Sequence, residues 1–216
     1  MKTLPNDTEP STNFQVTKNP LTFFREGDTV KFTCTGNIGN PPGNYIWQMI
    51  SPQQDQQIIY FNETTEKEEI SEKCSFRGTS NLTVHIATDH LKVKFRCFEE
   101  SQADVPETYV ETPPLDVQFH VRNIHIDKQP NQKQYNDKTD KITLTCTGSG
   151  NPEPNYRWFK DDNKTNILSW TNICVIDDVI QNNSGEYTCE ANNIIDNVNY
   201  RNSTSVEIYI KSSMSN

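Results

Sequence analysis

Apolar and polar residues alternate along much of the chain with a period of two, which is typical of a β-strand with one buried face. The alternating apolar positions are Val30, Phe32 and Cys34; Leu82, Val84 and Ile86; Val117, Phe119 and Val121; Ile142, Leu144 and Cys146; and Val206, Ile208 and Ile210. No window sustains the i, i+3, i+4 spacing of a helix, and Gly, Pro and Asn interrupt the pattern at short intervals. The sequence therefore predicts an all-β fold.

One segment occurs twice. The chain reads KFTCTGNIGNPPGNYIW around Cys34 and TLTCTGSGNPEPNYRW around Cys146, so Cys-Thr-Gly, a Gly-Asn-Pro turn and Asn-Tyr-x-Trp recur in the same order. The offset of 112 residues between these two cysteines is the size of one small domain, and 216 residues hold two copies. We expect domain 1 at residues 12–121 and domain 2 at residues 122–211.

Each copy contains a cysteine, a tryptophan and a second cysteine in that order. The two sets are Cys34, Trp47 and Cys97, and Cys146, Trp158 and Cys189. In the second copy Tyr187 precedes the last cysteine by two residues, whereas the first copy has Phe95 there, and Asn183 replaces a customary Asp. With these two departures, the pattern resembles the immunoglobulin superfamily over nearly the whole chain.

This resemblance implies two tandem immunoglobulin-like β-sandwiches, and the short second copy is similar to the compact C2 or I type. It also implies one disulfide between the two sheets of each domain. The implied pairs are Cys34 with Cys97 and Cys146 with Cys189.

Two cysteines fall outside this pattern. Cys174 stands where the first copy has Leu82, so we expect it at an inward position of strand E. Cys74 precedes a turn that we expect at residues 77–80, and we place it on strand D. A buried free thiol at Cys174, a bridge between the two and a bridge to another chain all stay open, because six cysteines allow 15 complete pairings.

Composition narrows the class of partner. The formal net charge of −9 makes binding to nucleic acid improbable, and no run of about 20 apolar residues predicts direct insertion into a membrane. Six cysteines together with six Asn-x-Ser/Thr sequons favour an extracellular protein, either secreted or the ectodomain of a cell-surface protein. The chain also lacks a leader and an anchor, so we expect it to be a fragment of a longer protein. The candidate glycosylation sites are Asn6, Asn62, Asn81, Asn163, Asn182 and Asn202.

The sequence contains no pattern that predicts catalysis. The four histidines, His85, His90, His120 and His125, lack metal-ligand spacing, and no nucleophile elbow, phosphate-binding glycine loop or zinc-protease motif occurs. We therefore predict no enzyme, no metal and no cofactor.

The candidate binding residues are apolar residues of the first copy. Ile59 and Phe61 lie in the run QIIYFN, where four consecutive apolar residues on one strand leave an alternate pair facing away from the core. Tyr109 lies in the long connection between strands F and G. The alternative is that the extra apolar residues pack beneath that connection, and a glycan at Asn62 would partly cover them.

Two functions stay open. The first is a non-catalytic recognition or adhesion ectodomain that binds a protein, either a second copy or a different protein, with a glycan as a further ligand class. The second is a secreted defence protein whose domains carry a separate lectin domain, because the runs CSFRGTSNLTV and FRC resemble immunoglobulin modules of molluscan fibrinogen-related proteins.

Overall fold

The computed structural model of the protein confirms the all-β prediction: the described residues form strands joined by turns, with three short 3₁₀ segments and no α-helix. The structure describes residues 13–16, 23–52, 58–60, 63–102, 108–136, 139–161 and 163–211. Contacts divide the chain into two compact units on either side of the Val117–Gln118 bond, and we call them module 1 and module 2.

Module 1 is built from two antiparallel sheets, with strand orders β1-β3-β7-β6 and β5-β4-β8-β9. We call the first its back sheet and the second its front sheet. The strands are β1 (Asn13–Val16), β2 (Phe24–Arg25), β3 (Thr29–Asn37), β4 (Tyr45–Ile50), β5 (Ile58–Tyr60), β6 (Thr65–Ile70), β7 (Ser75–His85), β8 (Lys94–Glu99) and β9 (Val110–Glu111). The 3₁₀ segments are Thr88–His90 and Glu100–Gln102.

The core of module 1 is centred on a disulfide and an indole. Cys34 on β3 is bonded to Cys97 on β8, and both are fully buried. Trp47 is fully buried in the same cluster, and its indole N–H donates to the Ser80 hydroxyl oxygen at 3.0 Å. The bridge therefore ties the back sheet to the front sheet, and the indole fills the space between the two layers.

Glycine at position 78 explains why one expected turn is absent. Residues 77–80 lie inside β7, and the turn comes earlier, between β6 and β7, where Cys74 has a left-handed φ of 49°. A β-carbon on Gly78 would lie 2.7 Å from a methyl carbon of Ile38 and 3.0 Å from the Tyr45 ring. The expected turn at 77–80 is therefore wrong, because this glycine makes room for core side chains rather than for a bend.

Module 2 has the sheets β15-β12-β10 and β14-β13-β16-β17. The short strands β11 and β18 pair in parallel. The strands are β10 (Val117–Gln129), β11 (Tyr135–Asn136), β12 (Ile142–Asn151), β13 (Asn155–Lys160), β14 (Ile167–Ser169), β15 (Ile173–Ile176), β16 (Gly185–Ile195), β17 (Val198–Ile208) and β18 (Ile210–Lys211). A 3₁₀ segment spans Gln181–Asn183.

The core of module 2 is also built around a disulfide and an indole. Cys146 on β12 is bonded to Cys189 on β16, and Trp158 is fully buried beside them. Among the described residues, the Trp158 indole N–H has no hydrogen-bond partner, whereas Trp47 in module 1 has one. Within β10, the Val121 N–H donates to the Asn193 side-chain oxygen at 3.1 Å. This contact lies in module 2, although the sequence placed Val121 at the end of domain 1.

Tyr187 anchors the corner before β16. Its hydroxyl donates to the Asn183 carbonyl oxygen at 2.9 Å, and burial raises the pKa of this phenol to about 12, so it stays protonated at neutral pH. In module 1, Phe95 is fully buried and stacks on Phe32 with ring centroids 4.9 Å apart. Only the second module therefore has the hydroxyl tie.

Removing that hydroxyl is expected to weaken module 2. Tyr187→Phe should lower the free energy of unfolding by about 1 kcal/mol, because it deletes one hydrogen bond to a backbone carbonyl. Chemical denaturation measures the change. Tyr209→Phe is the matched control, because the side chain of Tyr209 is half exposed. Equal effects of the two substitutions would contradict the structural role of Tyr187.

Candidate interaction surface

The outward side of the front sheet of module 1 is the candidate interaction surface, and we call it the front face. Trp47 on β4 and Cys97 on β8 are fully buried, so their neighbours along each strand face outward. Strand pairing places these neighbours in rows across β4, β8 and β9. The rows are Ile46 with Phe98, Gln48 with Arg96 and Glu111, and Ile50 with Lys94.

Three charged side chains form an ion-paired cluster on this face. The Glu111 carboxylate accepts a hydrogen bond from Lys94 Nζ at 2.6 Å and another from Arg96 Nε at 2.7 Å. Burial raises the pKa of Glu111, but the hydrogen bonds and charges of Lys94 and Arg96 outweigh it, so that the pKa lies below its usual value. The cluster is thus ionised at neutral pH and carries a net charge of about +1.

An aromatic ring packs on the same cluster. The Arg96 guanidinium carbon lies 3.9 Å from the centroid of the Tyr109 ring, which is within the range of a cation–π contact. The Arg96 side chain is only 23% exposed, because the ring and the Glu111 carboxylate hold it between them. The front face therefore presents a fixed guanidinium rather than a mobile one.

The predicted binding residues have different outcomes. Ile59 lies on β5, where it pairs with Gln48 of β4. Tyr109 is half buried against Arg96. Phe61 lies outside the described residues. Their role in binding stays a prediction.

Sequence reasoning missed the charged cluster and the row formed by Ile46 and Phe98. Counting alternate positions outward from Trp47 and Cys97 would have found Ile46, Arg96 and Phe98, because parity along a strand fixes the face. The sequence does not predict that Phe98, at an outward position, is only 9% exposed. Burial at an outward position depends on what packs over the sheet.

Four of the six sequons lie on described residues. Asn163, Asn182 and Asn202 are exposed in module 2. Asn81 is half buried on β7, and its side-chain oxygen accepts a hydrogen bond from the Thr33 hydroxyl at 2.8 Å. Asn6 and Asn62 lie outside the described part of the chain. Glycosylation at each sequon stays a prediction.

The two remaining cysteines are free thiols, so the structure does not form the bridge between them that was one of the alternatives. Cys74 is exposed in the turn between β6 and β7, so its expected position on a strand is wrong. Cys174 is 4% exposed at an inward position of β15, and burial raises the pKa of its thiol to about 11. A protonated, buried thiol packs as a small hydrophobic side chain.

Among the described residues, no three His, Cys, Asp or Glu side chains are grouped closely enough to hold a metal ion. Over the same residues, none of the helical segments is long and apolar enough to cross a lipid bilayer. An open depression of about 600 Å³ lies in module 2, near Pro130 and Lys141. Nothing in its lining forms a recognisable catalytic arrangement.

The chain is similar in sequence or in structure to several known proteins. Residues 125–193 match the family model of an immunoglobulin domain. The chain is 26% identical over 210 residues to mouse CD166 antigen, covering 93% of this chain and 34% of the relative, and 25% identical over 174 residues to chicken CD166 antigen, covering 77% and 29%. The chain therefore spans about a third of the length of these relatives. The solved ectodomain of mouse nectin-like molecule 4 superposes with a TM-score of 0.62 at 18% identity, over 95% of this chain and 66% of that one.

These findings define the class of protein. The chain is a tandem-domain protein of all-β sandwiches with one intersheet disulfide in each domain. The immunoglobulin-domain model matches within module 2, and the sequence motifs and the fold of both modules resemble the immunoglobulin superfamily. The similarity to CD166 antigen favours an extracellular, non-catalytic chain, as the sequence predicted.

Proposed function

We propose that the chain is the recognition portion of a cell-surface adhesion or immune-type receptor, and that it binds a protein partner through the front face of module 1. The observation that carries the proposal is the composition of that face. It combines a fixed Arg96 guanidinium, the Tyr109 ring and the outward Ile46, instead of a uniformly charged surface.

This composition suits a protein ligand. Arginine and tyrosine are enriched at the energetic centres of protein interfaces, and their value rises when other contacts hold them in place before binding. The Glu111 carboxylate holds Arg96 by a 2.7 Å hydrogen bond, so little side-chain entropy is lost when a partner docks. The long sequence match to CD166 antigen supports a receptor of this general kind.

The experiment is a binding screen with an oligomerised form of the chain against recombinant ectodomains, including the chain itself. For any partner found, Arg96→Gln is expected to weaken binding about tenfold or more, since an anchoring arginine at an interface centre contributes over 1 kcal/mol. Surface plasmon resonance measures the affinity.

Arg77→Gln is the matched control, because Arg77 is an exposed arginine on β7 of the back sheet. Binding that is equally sensitive to both substitutions, or insensitive to Arg96→Gln, would contradict the front face. A screen without any partner would contradict the recognition function itself.

The alternative, a secreted defence protein in which these domains carry a lectin domain, stays a prediction. The full-length reading frame decides between the two: a membrane-spanning segment downstream supports the receptor, and a fibrinogen-like domain supports the alternative. A glycan as an additional ligand also stays a prediction, which a glycan array tests directly.

A further inference from the structure

Large apolar side chains are exposed on module 2 and not on the described part of module 1. Nine such residues are more than a third exposed, and all nine belong to module 2. Leu168 lies on β14, Trp170 follows β14, and Ile173 and Val175 lie on β15. Trp170 is 71% exposed, which is unusual for the side chain with the largest apolar area.

Ile173 and Val175 belong to a sheet face that is poor in charge. Strand pairing aligns Val175 with Thr143 and Ile173 with Thr145. On the other side of β12, these threonines align with Gln129 and Asp127 of β10. We call this outward side of the β15-β12-β10 sheet the threonine face.

The threonine face carries one acidic group at these positions, and a histidine accompanies it. The Asp127 carboxylate lies 3.1 Å from His125 Nε2, and both side chains are about 70% exposed. The chain as a whole carries a net charge of −9, so two copies repel each other over most of their surfaces. Electrostatic repulsion between two copies is smallest where the approaching surfaces lack net charge.

β15 is an edge strand of its sheet, but the backbone groups of its first residue, Ile173, already have hydrogen-bond partners and cannot pair with an added strand. The Ile173 carbonyl oxygen accepts hydrogen bonds from the Ser169 hydroxyl at 2.6 Å and from the Thr171 hydroxyl at 3.1 Å. The Ile173 N–H donates to the same Thr171 hydroxyl at 3.2 Å. A partner therefore meets the flat side of this sheet rather than its edge. The same hydrogen bonds hold residues 170–172, which we call the Trp170 turn, next to the start of β15.

Sequons are absent from the threonine face. The three sequons of module 2 lie elsewhere: Asn163 between β13 and β14, Asn182 in a 3₁₀ segment and Asn202 on β17. Glycans at these three positions would cover other parts of module 2 and leave the threonine face bare.

We propose that the threonine face of module 2, together with the Trp170 turn, binds the same face of a second copy of this chain. A face of threonines bordered by Ile173 and Val175 complements itself about a two-fold axis, because apolar and hydroxyl groups meet their own kind and each copy brings only the Asp127 carboxylate as a charge. This self-association is separate from partner binding at the front face of module 1.

The available area sets the strength of this contact. Three strands of about five residues cover roughly 250 Å², and one exposed tryptophan adds roughly 150–250 Å². Each copy thus contributes about half of the ~800 Å² that a standard interface buries per partner. The contact is therefore weak in solution, and it gains strength where many copies share one surface.

Sedimentation equilibrium of the glycosylated chain, up to millimolar concentration, tests the proposal. Val175→Lys is expected to lower the association constant about tenfold or more, because it places a charge in the apolar part of the contact. Ile194→Lys is the matched control: Ile194 is 54% exposed on β16, and the substitution makes the same change in charge. If repulsion between the net negative charges of two copies controlled association, both lysine substitutions would raise the association constant, since each reduces the net negative charge.

A second variant tests the face without charging it. Thr143→Asn creates the sequon Asn-Leu-Thr at residues 143–145, and a glycan there, verified by mass, is expected to keep the chain monomeric. A wild-type chain that stays monomeric at every concentration would overturn the proposal. So would equal effects of the two lysine substitutions, or self-association that survives glycosylation at position 143. Loss of self-association through Arg96→Gln would assign it to the front face instead and also overturn the proposal.

Discussion

Trp47→Ala is expected to lower the free energy of unfolding of module 1 by about 3–5 kcal/mol. The indole is fully buried against the Cys34–Cys97 disulfide, and its truncation leaves a cavity that the paired sheets close only in part. The substitution also leaves the Ser80 hydroxyl without the indole N–H that donates to it at 3.0 Å. Since small domains have about 5–15 kcal/mol of net stability, module 1 should lose a large share of its own.

Hydrogen exchange read by mass spectrometry measures this loss module by module. Peptides from β4 and β8 should exchange much faster in the variant, and peptides from β12 and β16 should not change. Trp170→Ala is the control, because it removes the same side chain from a site that is 71% exposed. A Trp170→Ala variant that destabilises the protein as much as Trp47→Ala would show that the indole of Trp47 is not central to the core.

Removal of either intersheet disulfide should have an effect of similar size. The bridges close loops of 63 and 43 residues, and the chain-entropy model assigns each about 4 kcal/mol. Replacing both cysteines of one pair with alanine should therefore unfold or nearly unfold that module at 37 °C. Calorimetry of the Cys34→Ala/Cys97→Ala and Cys146→Ala/Cys189→Ala variants measures the loss.

Cys74→Ala serves as the control for these variants, because Cys74 is exposed and unbonded. It should leave both thermal transitions where they are. If the single substitution lowers a transition as far as a double substitution does, then Cys74 takes part in a bridge and the pairing in the structure is wrong.

The fold was predictable because a few spacings determine it. A cysteine, a tryptophan and a second cysteine at these intervals resemble the immunoglobulin pattern, which implies two sheets joined by one disulfide, and the repeat predicts a second such domain. Gly78 was misread because glycine marks turns in isolation, whereas here it relieves crowding against Ile38 and Tyr45. The local sequence pattern around Gly78 cannot predict this approach, because Ile38 and Tyr45 are distant in the sequence.

The candidate surfaces were predictable only in part. Parity along β4 and β8 places Ile46 and Arg96 outward, but the contact between Arg96 and Tyr109 depends on a loop conformation that no periodicity encodes. Trp170 is a case in which residue type gives the wrong expectation of burial. Its apolar character predicts burial, and only the turn held by Ser169 and Thr171 leaves it exposed.

The location of the exposed thiol has a practical consequence for binding studies of this protein. Cys74 lies in the turn between two strands of the back sheet of module 1, whereas the other unbonded cysteine is buried. A maleimide tether applied to the native protein would thus attach at Cys74 and not at Cys174. Molecules immobilised in this way on a sensor chip would share one orientation and leave the front face open to analytes in the flow.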